Sequence, residues 1–304
     1  MTPDFTRAKP QARPHRRASS RGRGTPSFGG RLSARKNPLG KELTEPPMEE
    51  NKIVLAYLSV WLTLLGAVFG SFTACAVSRW AAGEPPFRGR SRCVTCGHVL
   101  SAFDLIPVFS WVVRRGRCKY CGAGIPVDCL AAELAGGLSF LILGLTVPLR
   151  ELGQWLIWAG LLLALSLADW ARRLIPDRIL LTLVVNRIVW FVALEGDFSG
   201  IFDILLACLV PAALLALILL GEWLTARELM GGGDIKLLFA LALYLSWAQL
   251  LLTLLAGCLL GLVFAALLGK KRDAAVPFGP FLALGGLFTV SLGAPLIRWY
   301  FGLF

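Results

Sequence analysis

The sequence predicts an all-α polytopic membrane protein: about eight transmembrane helices with a small cytoplasmic, zinc-ribbon-like insert between helices 1 and 2. Three observations predict it. The 304 residues are 56% hydrophobic, at a mean hydropathy of +0.67, and only 16% are charged, against about 25% in a typical soluble domain. Apolar runs approaching the length of a bilayer crossing recur along the chain. The one long polar interruption holds two Cys-x-x-Cys pairs. This composition excludes a single water-soluble core.

Residues 1–52 read as a disordered basic tail. Residues 1–47 hold 11 of the 31 Lys/Arg and 3 of the 19 Asp/Glu, so most of the formal charge of +12 sits there. The tail is rich in Arg, Ser, Gly and Pro, has no hydrophobic period, and cannot bury enough apolar surface to order itself. It has no apolar h-region and is not a secretory signal. A basic chain can mean nucleic acid, but an excess confined to one tail gives no reason to expect that partner. Met48, just before the first apolar run, reads as the natural start, with the residues before it a non-native extension.

The first transmembrane helix is placed at residues 53–78 and the polar four-cysteine domain at 79–128. The other spans fall within 129–304: Leu130–Val147, Trp155–Ala168, Ile179–Leu194, Ile201–Leu220, Ile235–Trp247, Leu250–Leu268 and Phe278–Ile297. Some are shorter than the roughly 20 residues of a helical crossing. Gly66-x-x-x-Gly70 and Gly257-x-x-x-Gly261 are small-residue patterns that allow close helix packing in lipid. Lys and Arg set the orientation. The insert holds 8 of them, and Arg172, Arg173, Arg178, Arg227 and Lys270-Lys271-Arg272 lie in alternate loops. Those loops and the insert are assigned to the cytoplasm, and both termini to the outside. The basic tail conflicts with this unless the native product lacks it.

Two aspartates stand where lipid makes them expensive. Asp169 ends the run Trp158–Ala168, and Asp234 closes Gly231-Gly232-Gly233-Asp234, with Ile235 and Lys236 leading into the next run. The orientation puts both on the cytoplasmic side. Sitting 65 positions apart on different helices, they can face one another. Paired carboxylates share one proton, because two like charges a few ångströms apart cannot both ionise. That is the equipment of an aspartyl protease, one carboxylate taking a proton from water and the other polarising a carbonyl. Gly231 and Gly233 would interrupt the helix and let substrate backbone approach. The alternative is that each aspartate caps a helix or pairs with a neighbouring cation: Arg172 or Arg173 for Asp169, Lys236 for Asp234. Asp177, after Pro176, reads as a helix cap or a secondary polar contact.

Cys93-x-x-Cys96 and Cys118-x-x-Cys121, 21 residues between them, have the spacing of a four-thiolate structural zinc site. Gly97 and Gly122 follow the pairs, as a tight metal-binding turn prefers. A cytoplasmic loop is a poor place for disulfides. Cys75, Cys129, Cys208 and Cys258 lie in or beside apolar runs and read as packing residues. The chain has two histidines, His15 and His98, and no His-Glu-x-x-His. A zinc protease and a Ser/His/Asp hydrolase are both disfavoured.

With these residues in hand, 53–304 resembles the type IV prepilin peptidases, GxGD aspartyl proteases of bacterial pilus and type II secretion systems. The matches occur in order: Gly70-Ser71-Phe72; Arg92-x-Cys-x-x-Cys; Asp104-Leu105-Ile106-Pro107-Val108-x-Ser110-Trp111; Cys118-x-x-Cys121; Glu133-Leu134; Asp169-(x)6-Pro176-Asp177; Met230-Gly-Gly-Gly-Asp-Ile-Lys236; and Pro277-Phe-Gly-Pro-Phe281. The resemblance implies catalysis by Asp169 and Asp234 in the bacterial inner membrane, with the active site at the cytoplasmic face. Substrates would be prepilins or pseudopilins, which carry a basic leader, a glycine before the cut and then an apolar helix. It further implies methylation of the new N-terminus from S-adenosylmethionine. Thr73-Ala74-Cys75 and Ile125–Ala132 depart from the family pattern, which leaves that second activity open. Two other readings remain: a transporter or assembly scaffold with a zinc-binding docking module, and a presenilin-like protease, which shares GxGD but lacks the four-cysteine insert.

Overall fold

The computed structural model describes residues 48–195, 201–226, 230–267 and 276–302; the expectations for the basic tail and for the loop cations Arg227 and Lys270–Arg272 lie outside these residues. The helices are α1 (Met48–Ala81), α2 (Phe109–Val113), α3 (Val127–Thr146), α4 (Leu149–Arg172), α5 (Asp177–Trp190), α6 (Ile201–Thr225), α7 (Gly232–Ala242), α8 (Trp247–Leu267), α9 (Gly279–Phe288) and α10 (Ala294–Phe301). A wider turn at Thr289–Gly293 joins α9 to α10. Among the described residues there is no strand, only two isolated antiparallel bridges in the insert, Arg92 with Val99 and Arg117 with Gly124.

Among the described residues, six segments are long and apolar enough to cross a membrane: Val54–Ala81, Val127–Thr146, Leu149–Arg172, Ile201–Thr225, Trp247–Leu267 and Gly279–Tyr300. The other two expected spans are helical as well: α5 has 14 residues and continues as a wider turn over Phe191–Glu195, whereas α7 has 11, or about 17 Å at 1.5 Å per residue, against a hydrocarbon core of about 30 Å. α7 compensates by burial. Leu237, Leu238 and Leu241 are fully enclosed, in one core with Trp158 and Leu165 of α4, Leu183 of α5, Leu250 of α8 and Leu282 of α9. The core thus grips a short helix that carries Asp234 near its start.

In lipid, helices are held by packing rather than by exclusion of water, so small residues mark the closest approaches. A Cβ at Gly66 would run into the Gly136 carbonyl, and one at Gly70 into the Ala132 carbonyl. Both expected small-residue patterns are contact faces, α1 on α3 and α8 on α9, where Gly257 lies against Phe281 and Leu282. One boundary moves relative to the sequence expectation. α4 runs through Asp169 to Arg172 and is closed by Arg173 in a left-handed conformation (φ 55), whose N–H bonds the Asp169 carbonyl at 2.7 Å. Asp169 therefore sits inside the last turn of a helix, with its direction fixed, and not in a loop. Pro176 then starts α5, because a proline ring suits a helix opening and not its interior.

Candidate active site

Asp169 is buried. Its Oδ2 accepts the backbone N–H of Gly279, at the start of α9, at 2.9 Å. The first N–H groups of a helix have no partner within it and point at whatever anion stands there. A Cβ at residue 279 would lie 2.9 Å from the same oxygen, so glycine makes room for the carboxylate. The sequence flagged Gly279 only as part of Pro-Phe-Gly-Pro. Its signal was a glycine directly before a helix-opening proline.

Asp234 lies outside the six candidate spans, in the first turn of α7. Its N–H bonds the Gly231 carbonyl at 3.1 Å. The glycines do not supply positive φ; they supply space. A Cβ at Gly233 would press on Ile175 at 3.2 Å, and one at Gly231 would stand 3.4 Å from Asp234 Oδ2. Burial, and then the Asp169 charge, pushes the Asp234 carboxyl up to about 6. The start of α7 also meets the segment that leaves α4, since the space at Gly233 is bounded by Ile175, six residues beyond Asp169.

Of the three neighbouring cations, Arg172 and Lys236 are occupied elsewhere, and Arg173 closes α4 without forming an ion pair with Asp169. Arg172 turns away from Asp169, donates to the Ala81 carbonyl at the end of α1 and stacks over Trp80 at 5.6 Å. Lys236 pairs with Asp177 at 2.8 Å and not with Asp234. Asp177 is the first residue of α5, and Pro176 holds the cap position. Of its two sequence readings, the secondary polar contact is the one the structure has. That pair is exposed on both sides, so it is worth little energetically, but it ties the start of α5 to the start of α7.

The insert holds a second centre. The sulfurs of Cys93, Cys96, Cys118 and Cys121 all lie within 4.8 Å of one another. A tetrahedron of Zn–S bonds near 2.3 Å puts sulfurs about 3.8 Å apart, and Cys93 Sγ stands 3.9 Å from Cys121 Sγ. Each knuckle turns through a glycine at positive φ, Gly97 (70°) and Gly122 (71°), whose N–H returns to the carbonyl of the first cysteine. Backbone N–H groups of Cys96 and Thr95 bring the Cys93 thiol down to about 6. At Cys121 the Ala123 N–H acts the same way, but burial and the crowd of neighbouring sulfurs outweigh it and push the thiol up to about 11. Sulfurs this close share protons until a cation replaces them, and the four residues fit zinc. Four thiolates would complete a tetrahedral sphere and leave no open position for substrate. His98 stacks on Tyr120 at 3.5 Å between centroids and adds no ligand.

The bacterial peptidase A24 N-terminal domain matches residues 64–147, and the type IV leader peptidase family matches residues 156–266. The chain is 33% identical over 230 residues to a prepilin leader peptidase/N-methyltransferase of Aeromonas hydrophila, which covers 71% of this chain and 77% of that protein. It is 34% identical over 220 residues to the protein of that name in Dichelobacter nodosus, covering 70% and 74%. With that of Burkholderia pseudomallei strain K96243 it shares 36% over 215 residues, or 68% of each chain. No solved structure matches. The first family match ends with α3 and the second begins within α4, one holding the cysteine centre and the other both aspartates, and with relatives this similar along most of their length the chain belongs to the type IV leader peptidase family.

Proposed function

We propose that the protein is a membrane aspartyl endopeptidase that removes the short basic leader of type IV prepilins or type II secretion pseudopilins after a glycine. Asp169 and Asp234 are its catalytic pair. One observation carries this: the start of α7 packs against the segment that leaves α4, Gly233 against Ile175, which sets half-buried Asp234 beside the helix end that holds buried Asp169, and neither acid has an ion-pair partner among the described residues. Asp169, accepting the Gly279 N–H, is the ionised member. It takes a proton from water, and the hydroxide attacks the scissile carbonyl carbon. Asp234 is the protonated member and gives its proton to the carbonyl oxygen. Collapse of the tetrahedral intermediate breaks the C–N bond: the amine leaves with the proton held by Asp169, and the diol hydroxyl returns a proton to Asp234, which restores the pair. Glycine at the cut eases unwinding of the substrate chain. The charge of the loops supports an active site at the cytoplasmic face of the inner membrane. Gly231, Gly233, Lys236 and Asp177 shape the site by close approach and by tying α5 to α7.

The test is co-expression with a prepilin carrying a Gly–Phe junction, with leader removal followed by mass. A folded, inserted protein that leaves the substrate uncut overturns the reading.

Two expectations follow from the geometry. Gly279→Ala puts a methyl group against the Asp169 carboxylate, and cleavage falls by about 10- to 100-fold with insertion unchanged. Initial rates at equal membrane abundance measure it; a rate equal to wild type breaks the assigned contact. The second concerns pH. The raised value at Asp234 means that it keeps its proton up to about pH 6. Activity needs that proton, so the rate falls as pH rises through this region, and it falls again at low pH when both carboxyls are protonated. The profile is a bell whose limbs belong to the pair. A rate still rising above pH 8 would contradict the shared proton.

The zinc fitted by the four cysteines holds the insert in shape and takes no part in the hydrolytic step. S-adenosylmethionine, the methyl donor that the family resemblance implies, is different. The cavity of about 240 Å³ between α3, α4 and α9 is lined by residues such as Ala135, Leu138, Leu162 and Leu284, with no charged group for a sulfonium or an amino acid. It does not fit that cofactor, and no methyl-transfer step is derived.

A further inference from the structure

The segment Ala102–Val113 has no part in the proteolysis above. A short 3-10 turn (Ala102–Leu105) and α2 (Phe109–Val113) make it up. Its polar side chains face inward. Asp104 accepts the N–H and hydroxyl of Ser101 at 2.9 and 2.8 Å and pairs with Arg114. Burial would raise its carboxyl, but Ser101, Arg114 and Lys119 hold it below the usual range. Its apolar side chains face outward: Phe103, Phe109, Val112 and Val113 are 77%, 60%, 58% and 63% exposed. A held surface presenting this many apolar groups needs a cover.

The position of the segment says what covers it. The N–H of Val108, directly before α2, bonds Glu133 Oε2 at 2.6 Å. Glu133 is buried and lies in the second turn of α3, about 9 Å along the helix from its start. α3 is one of the six candidate spans, so α2 is pinned alongside the end of a membrane-crossing helix, where the bilayer surface passes. The pin holds Val108 at φ 61, which a β-branched residue seldom adopts. Three exposed cations follow, Arg115, Arg117 and Lys119, none with an ion-pair partner among the described residues. Exposed aromatic and aliphatic groups beside unpaired cations, at the end of a span, are what an interfacial anchor requires.

We infer that Phe103–Val113 is a membrane-surface anchor: its four exposed apolar side chains enter the headgroup–acyl boundary on the insert's side of the bilayer, and Arg115, Arg117 and Lys119 sit on anionic lipid headgroups. The anchor holds the four-cysteine module down on the membrane. The same cations repel a basic leader, which favours lipid over substrate as the occupant. The inference does not depend on proteolysis, and its readouts involve no cleavage.

The test uses the full chain in nanodiscs of phosphatidylcholine with and without phosphatidylglycerol. p-Benzoylphenylalanine replaces Phe109 in one variant and Val94, 91% exposed in the first knuckle, in a control. Lipid adducts at position 109 exceed those at position 94 by about tenfold, and amide exchange of residues 109–113 slows by about tenfold when phosphatidylglycerol is present. Arg115→Gln combined with Arg117→Gln removes the phosphatidylglycerol effect and leaves zinc content unchanged. Equal adducts at both positions, or exchange indifferent to phosphatidylglycerol, overturn the anchor. So does capture of an added prepilin at position 109 in place of lipid, which makes the face a substrate surface.

Discussion

Alanine at Asp169 or at Asp234 lowers leader cleavage by at least about a thousandfold, which is about 4 kcal/mol of lost transition-state stabilisation. Each carboxylate has a task the other cannot take over. Without Asp169 nothing removes the proton from water; without Asp234 nothing delivers one to the carbonyl oxygen. The double variant is therefore no worse than either single one, since residues that act as a unit do not add. The loss is chemical and not a failure to fold. Asp234 is only half-buried in the first turn of its helix, and alanine at 169 removes one hydrogen bond to the Gly279 N–H while leaving the packed faces of α4 and α9 in place. Asp177→Asn is the contrasting case. Its partner is an exposed lysine, so it retains most of the activity. The measurement is the ratio of mature to uncut pilin at matched abundance. A rate within tenfold of wild type for either alanine variant would remove the pair from the mechanism.

Cys118→Ser abolishes metal binding and unfolds the insert. Cys118 is the buried member of the four, and a hydroxyl there leaves three ligands and an incomplete sphere. Structural zinc supplies about 10 kcal/mol or more of folding free energy to small domains. Among the described residues, the insert has two isolated bridges and one five-residue α-helix with which to replace it. Metal analysis finds one zinc per wild-type chain and none in the variant. Protease then cuts between Ala82 and Pro126 while the spans stay intact. Because the sphere is closed, a chelator stops cleavage only as slowly as the insert unravels. Wild-type protein that carries no zinc and whose four thiols are freely alkylated in the native state would contradict the site. Immediate chelator inhibition with the insert intact would place metal in the chemistry.

Family membership, the all-helical membrane fold and the cysteine cluster were legible in the residues, for definite reasons. Lipid demands apolar runs and tolerates few acids, so Asp169 and Asp234 stood out against their surroundings. Thiolate spacing is local: two knuckles with glycine after each are set by turn geometry within a few residues. The partners of the charges were not legible. Arg172 is three residues from Asp169 and Lys236 two from Asp234, yet they go to the Ala81 carbonyl and to Asp177, because helix direction and not sequence distance decides where a side chain points. Nor could the chain show that Gly279, 110 positions from Asp169, supplies its hydrogen bond, or that Glu133 holds the backbone of Val108. Nor could the chain show how α7 is held: Leu237, Leu238 and Leu241 are enclosed by neighbouring helices, and an apolar run buried among helices looks the same in sequence as one facing lipid, since both are apolar on every side. The residues by themselves determined the class of chemistry and the elements that carry it; only packing of α4, α7 and α9 decided which groups meet, because those contacts join parts of the chain whose separation no local preference encodes.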